Sequence, residues 1–175
     1  MLSLYRRTTD RLDPIGDSVL PTLSRLTFAG VLLMYFWKSG MTKLGDGLFG
    51  FLQPSTGAYA QIFPKAFEAT GYDPSQLGMF HWAVVTGGTL AEFILPLLIV
   101  LGLLTRLSAI GMIGFIIVQS LTDIFGHSGD LGAWFNAASG DLIADQRAFW
   151  ILALLILVFK GAGPLSLDRL FKNAP

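Results

Sequence analysis

Glu92 is a carboxylate in surroundings that are otherwise apolar, within the stretch AEFILPLLIVLGLL. An ionisable group inside a membrane-length helix costs about 2.5–3.5 kcal/mol on the insertion scale, so it calls for a partner or a task. The tasks open to a buried carboxyl are proton donation and ligand binding. Val84, Gly88 and Glu92 recur at i, i+4 beside Ala83, Gly87 and Ala91. Small residues at that spacing mark contacts between helices, so Glu92 is expected to face protein rather than lipid. Its expected partner is Arg25, which has the small Ala29 one turn further along its own face. The buried polar pair Arg25–Glu92 reads either as an ion pair that fixes helix register or as a relay or ligand site, with Glu92 the candidate catalytic residue.

A second group of chemically capable residues collects towards the opposite end. Ser108, Gly111, Phe115, Gln119 and Asp123 share one helical face, and one more turn adds His127. His81, Asp145 and Arg147 fall at similar depth on other helices, as does Lys38. This outer-half polar cluster of His81, Asp123, His127, Asp145 and Arg147 reads as solvated helix ends or as a pocket suited to a quinone head group or a small anion. His81 and His127, with Met41 or Met79, have the ligand types for haem or copper. No supporting pattern joins them, so no metal site is expected and the two histidines stand only as weak candidates. No Ser–His–Asp set, HExxH, P-loop or dinucleotide fingerprint occurs in a fitting context.

These residues need elements to position them, and the sequence supplies four. Of 175 residues 53% are hydrophobic and only 14% charged, against about a quarter charged in soluble domains. Apolar runs at about 21–40, 79–104, 107–125 and 142–160 are each near the roughly 20 residues that cross a bilayer. The expected fold is an all-α integral membrane protein, an antiparallel bundle of four transmembrane helices in one domain. The long outer loop 41–78 is broken by glycine and proline, and its AYAQIFPKAF stretch is expected to lie in the interface as a short amphipathic piece. Asp73 or Ser75 is the expected N-cap of the second helix.

Arg25 and Lys38 bracket twelve uncharged residues, as do Arg147 and Lys160. Twelve residues rise about 18 Å, well short of a hydrocarbon core of about 30 Å, so one cation of each pair must snorkel or lie inside the bundle. Arg6, Arg7, Arg11, Arg25, Arg106, Lys160, Arg169 and Lys172 fall on one side, against Lys38, Lys43, Lys65 and Arg147 on the other. That asymmetry places both termini in the cytoplasm. Formal net charge is zero, which gives no basis for nucleic-acid binding. Cysteine is absent, so disulfide, thiolate-metal and CxxC chemistry by this chain is excluded. A cleavable signal peptide is not expected, because charged residues from Arg6 to Asp17 precede the first apolar run.

Several segments together resemble the DoxX family. SRLTFAGVLLMYFWKSGMTKL is similar to that family's first helix, with an arginine near its start and a G-x-x-K-L signature at its end. AEFILPLLIVLGLLTRLSA resembles its second helix and hinge, and IADQRAFW with LVFKGAGPLSLDRLF resembles the closing segment of many members. The resemblance implies a four-helix bundle of the bacterial inner membrane and carries over to Arg25, Lys43, Glu92 and Arg106. It also implies an accessory subunit of a redox system, working with a partner redox or metal-handling protein and with a quinone as candidate ligand. Two other readings stay open, a non-enzymatic assembly protein and a small metal or anion transporter. The small-residue faces also fit a homo-oligomer.

Overall fold

The computed structural model of the chain describes residues 2–47 and 49–172. The side chains of Arg6, Arg7, Arg11 and Lys172, counted in the charge asymmetry above, lie outside the described residues. All described elements are helical, and four are long and apolar enough to cross a membrane: Leu12–Met41, Met79–Leu101, Thr105–Gly126 and Leu142–Lys160. Each span packs on the next and the fourth closes against the first, giving a ring of four. Contacts between opposite ends of successive spans make the ring antiparallel. Arg25 reaches Ile99, Arg106 reaches the carbonyl of Phe159, and Lys160 pairs with Asp17.

The ring closes on Phe28, Leu32, Phe36, Ile99, Met112, Ile116, Leu154 and Leu157, all essentially inaccessible. Burial gives little driving force when the surrounding medium is lipid, so this core holds by close packing. Rings of Tyr35, Phe36, Phe115 and Trp150 stack edge-on or tilted within it. Val31, Met34, Ile110, Val118, Phe149 and Leu152 point outward and clothe the bundle in apolar surface, as lipid contact requires.

The first helix is longer than the apolar run. It is helical from Leu2 and passes through both Pro14 and Pro21, although proline in sequence reads as a starting signal. Wide π-helical turns interrupt the spans at Ala29–Leu33, Thr122–Gly126 and Leu142–Gln146. The second span stops at Leu101 rather than continuing to 104, because Gly102 and Leu104 both take left-handed backbone angles and the third span begins at Thr105.

The first connection is more structured than a loop broken by glycine and proline suggests. Its apolar stretch forms two short helices, Thr56–Ile62 and Pro64–Ala69, the first capped by Ser55 accepting from the Ala58 amide at 3.2 Å. Their polar residues Thr56, Gln61, Lys65 and Glu68 are exposed, and their apolar face is turned to the bundle. Ala58, Tyr59 and Phe67 are buried against Val85 of the second span. The first span ends at Met41, yet Lys43 meets Glu92, which lies about 20 Å along the second span from its start at Met79. The short helices stand beside the end of the first span, with Gln61 and Ile62 next to the Ser39–Lys43–Glu92 group. Asp73 caps only the single turn Pro74–Gln76, and the second span starts after Gly78 without a side-chain cap.

Candidate functional site

Glu92 pairs with Lys43. The Lys43 Nζ lies 3.1 Å from both carboxylate oxygens. Ser39 closes the group: its hydroxyl accepts from Lys43 at 2.7 Å and donates to Glu92 Oε1 at 3.0 Å. Ser39 and Lys43 stand one helical turn apart at the end of the first span, which puts both on the face turned to the second. Gly40 permits the approach. A β-carbon there would sit 2.7 Å from the Phe93 ring, so only glycine lets the two backbones come so close. Both charged side chains are nearly inaccessible. A pair so deeply withdrawn from solvent persists only when its remaining donors and acceptors are matched, and Ser39 does that here.

The expected Arg25–Glu92 pair is therefore corrected. Arg25 is buried, as expected, but lies seven residues further along the second span, beside Ile99. Its guanidinium donates to the carbonyls of Ile99 and Ala162, each at 3.0 Å, and to those of Val100 and Leu165. A helix end leaves carbonyls without partners, and Arg25 satisfies two at the end of the second span while tying down the segment after the fourth. Gly102 makes room, since a β-carbon there would fall 2.8 Å from the Arg25 guanidinium carbon.

The small-residue face of the second span also plays a different part. Gly87, Gly88 and Ala91, with Gly111 and Gly114 of the third span, wall a cavity of about 410 Å³, although Gly111 also lets Leu95 of the second span approach closely. A β-carbon on Gly87 or Gly114 would meet nothing within 4 Å. Lys43, Ser39 and Glu92 border this cavity, as do Gln119, Asp123 and His127. Gln61 and Ile62 of the short loop helix line it as well. The remaining lining, including Val84, Leu95, Phe115 and Val118, is apolar. Its form is that of a small-molecule site, an apolar slot with a few convergent polar groups.

The outer cluster comes together only in part. Asp123 forms an ion pair with Arg147, whose side chain is buried and also donates to the Ser120 hydroxyl at 2.9 Å. His127 Nε2 lies 2.9 Å from the Gln61 carbonyl. His81 does not join them: its ring packs against Phe63 and Phe80, and its buried Nδ1 has no partner. Asp145 accepts from the Asp141 amide at 3.1 Å and serves the local turn. Lys38 is exposed. Among the described residues, no three His, Asp or Glu side chains converge as a metal-binding group. Arg106 donates to the Phe159 carbonyl at 3.3 Å, far from the cavity.

Two participants escaped the sequence reading. Ser39 is an ordinary residue unless Lys43 is already known to turn inward. Gln61 belongs to a loop with no periodicity that points to the bundle. The one available signal was the i, i+4 relation of Ser39 and Lys43 just after an apolar run.

The DoxX family model matches residues 21–127, which include Arg25, Lys43, Glu92, Arg106, Asp123 and His127. The chain is also similar to a protein of Haemophilus influenzae (strain ATCC 51907 / DSM 11121 / KW20 / Rd) described as an uncharacterized protein. The two are 30% identical over 170 residues, covering 93% of this chain and 90% of that one. No solved structure gives a significant match. With the second and third spans, most of the first and the central ion pair inside the matched segment, the chain belongs to the DoxX family of membrane proteins.

Proposed function

We propose that this protein is a redox-accessory subunit of the bacterial inner membrane and takes a quinone into the cavity between its second and third spans. The observation that carries the reading is the cavity itself: a slot of about 410 Å³ that ends on the Ser39–Lys43–Glu92 group. Gly87, Gly111 and Gly114 are exposed on the outer faces of their helices and also line the slot, so a membrane-dissolved ligand has a lateral way in. Lys43, the cation in the lining, is paired with Glu92, and Asp123 in the lining is paired with Arg147 behind it. Such a lining favours a neutral molecule with hydrogen-bonding oxygens over a free anion. A quinone carbonyl can accept from the second Nε2 hydrogen of Gln119, the first being given to Tyr35, and Glu92 is the acid that could exchange protons with it. The chain lacks cysteine, and in this reading electrons come from a partner protein.

In this reading both termini lie in the cytoplasm, on the side that carries eight cations against four.

Photolabelling with an azidoquinone in lipid nanodiscs tests the ligand. Labelling should fall on the second and third spans, around Gly87–Glu92 and Gly111–Gln119. Labels spread evenly over the lipid-facing surface, or unaffected by excess native quinone, would leave an assembly role as the better reading.

A further inference from the structure

The end of the bundle that carries Arg106 has a separate groove of about 670 Å³, bordered by the start of the third span, the end of the fourth and the C-terminal helix Leu167–Lys172. The acids along it are already engaged. The Asp168 carboxylate accepts from the amides of Leu104 and Thr105, at 2.7 and 2.9 Å. Asp17 is held by Lys160. Among the described residues, Arg106 donates only to the Phe159 carbonyl and Arg169 forms no ion pair. Two guanidinium groups therefore border one groove without an acid matched to either. Around it, Leu107, Phe159, Leu165 and Phe171 are each more than two-thirds exposed.

We propose that this groove binds the phosphodiester of an anionic phospholipid, with Arg106 and Arg169 on the phosphate and the acyl chains along Leu107 and Phe159. Guanidinium groups offer paired N–H donors that fit phosphate oxygens. Basic clusters between helices at a membrane boundary favour anionic head groups over zwitterionic ones. The apolar rim selects a lipid over a soluble phosphoester, because its side chains need hydrocarbon contact that a free head group cannot give.

The test uses the whole purified chain, delipidated in mild detergent and titrated with phosphatidylglycerol, phosphatidylcholine or glycerol 1-phosphate, with bound species counted by native mass spectrometry. Phosphatidylglycerol should be retained in preference to phosphatidylcholine. Arg106→Gln and Arg169→Gln should each weaken it by about fivefold, the factor that corresponds to roughly 1 kcal/mol per surface cation. Lys38→Gln and Lys65→Gln, at the other end of the bundle, should leave retention unchanged. Arg169 makes no described contact that the fold depends on, so Arg169→Gln reads binding without a folding defect. Equal retention of the two lipids, indifference to both arginine substitutions, or equally tight binding of glycerol 1-phosphate would overturn the proposal.

Discussion

The two ends of this bundle use buried charge in opposite ways. At the Arg25 end, one guanidinium bonds four carbonyls and Asp168 caps two amides, so helix ends and connecting segments are tied together. At the Lys43 end, the charges pair side chain to side chain and border open space, with glycines where filler would otherwise stand. Gln119 Oε1, in the lining, is buried without a partner among the described residues. Charge that satisfies backbone holds a fold together. Charge paired at the edge of a cavity leaves room for a ligand, and that is why the quinone site is proposed at the Lys43 end.

The largest effect should come from breaking the tied end. Arg25→Ala removes four charge-assisted hydrogen bonds and should lower stability on the order of 4 kcal/mol, seen as loss of the folded protein in detergent melts. Lys43→Met leaves a buried carboxylate alone and should cost about 3 kcal/mol. The double variant Lys43→Met, Glu92→Gln should recover part of that loss, and a double-mutant cycle showing strict additivity would deny the coupling. Gly102→Ala forces a β-carbon onto a left-handed residue and against Arg25, with an expected cost of about 1–2 kcal/mol. Gly114→Leu is the counterpart at the open end. It should shift the melting temperature little, because nothing stands where its β-carbon goes, yet it should exclude a ligand.

The smallest effect concerns pH. Hydrogen bonds from the Ser75 side chain, then its amide, then Gln76 hold the Asp73 carboxyl below the usual aspartate range. A carboxyl lowered in this way stabilises its turn above the unfolded value and loses that contribution as pH falls through the folded one. Amide exchange at Ser75 should therefore speed up only in acid, beyond the intrinsic trend, and Asp73→Asn should remove that extra dependence.

Much of the frame was legible because lipid imposes a simple rule. Four apolar runs had to be helices, and Glu92 stood out against its neighbours. The expectation that one cation of each bracketing pair lies inside also holds, since Arg25 and Arg147 are buried while Lys38 and Lys160 are exposed. What failed was depth. Arg25 and Glu92 are both buried, but whether they meet depends on where each span starts, and Pro21 hid the longer first helix. Lys43 followed the last apolar residue of its run and so read as loop, while the chain in fact turns inward there. The glycines of the second and third spans illustrate a deeper limit. Small residues at helical spacing serve equally to bring helices together and to leave a space, and only the packing of the remaining side chains decides which.

The central claim is that the cavity beside Glu92 holds a quinone, and the quinone content of the purified protein tests it most directly. Protein extracted gently from its own membranes, then analysed by solvent extraction and chromatography, should carry close to one quinone per chain. Gly114→Leu should lose that quinone while keeping its melting temperature. Quinone no more abundant than in the surrounding lipid, or equally abundant in Gly114→Leu, would contradict the account.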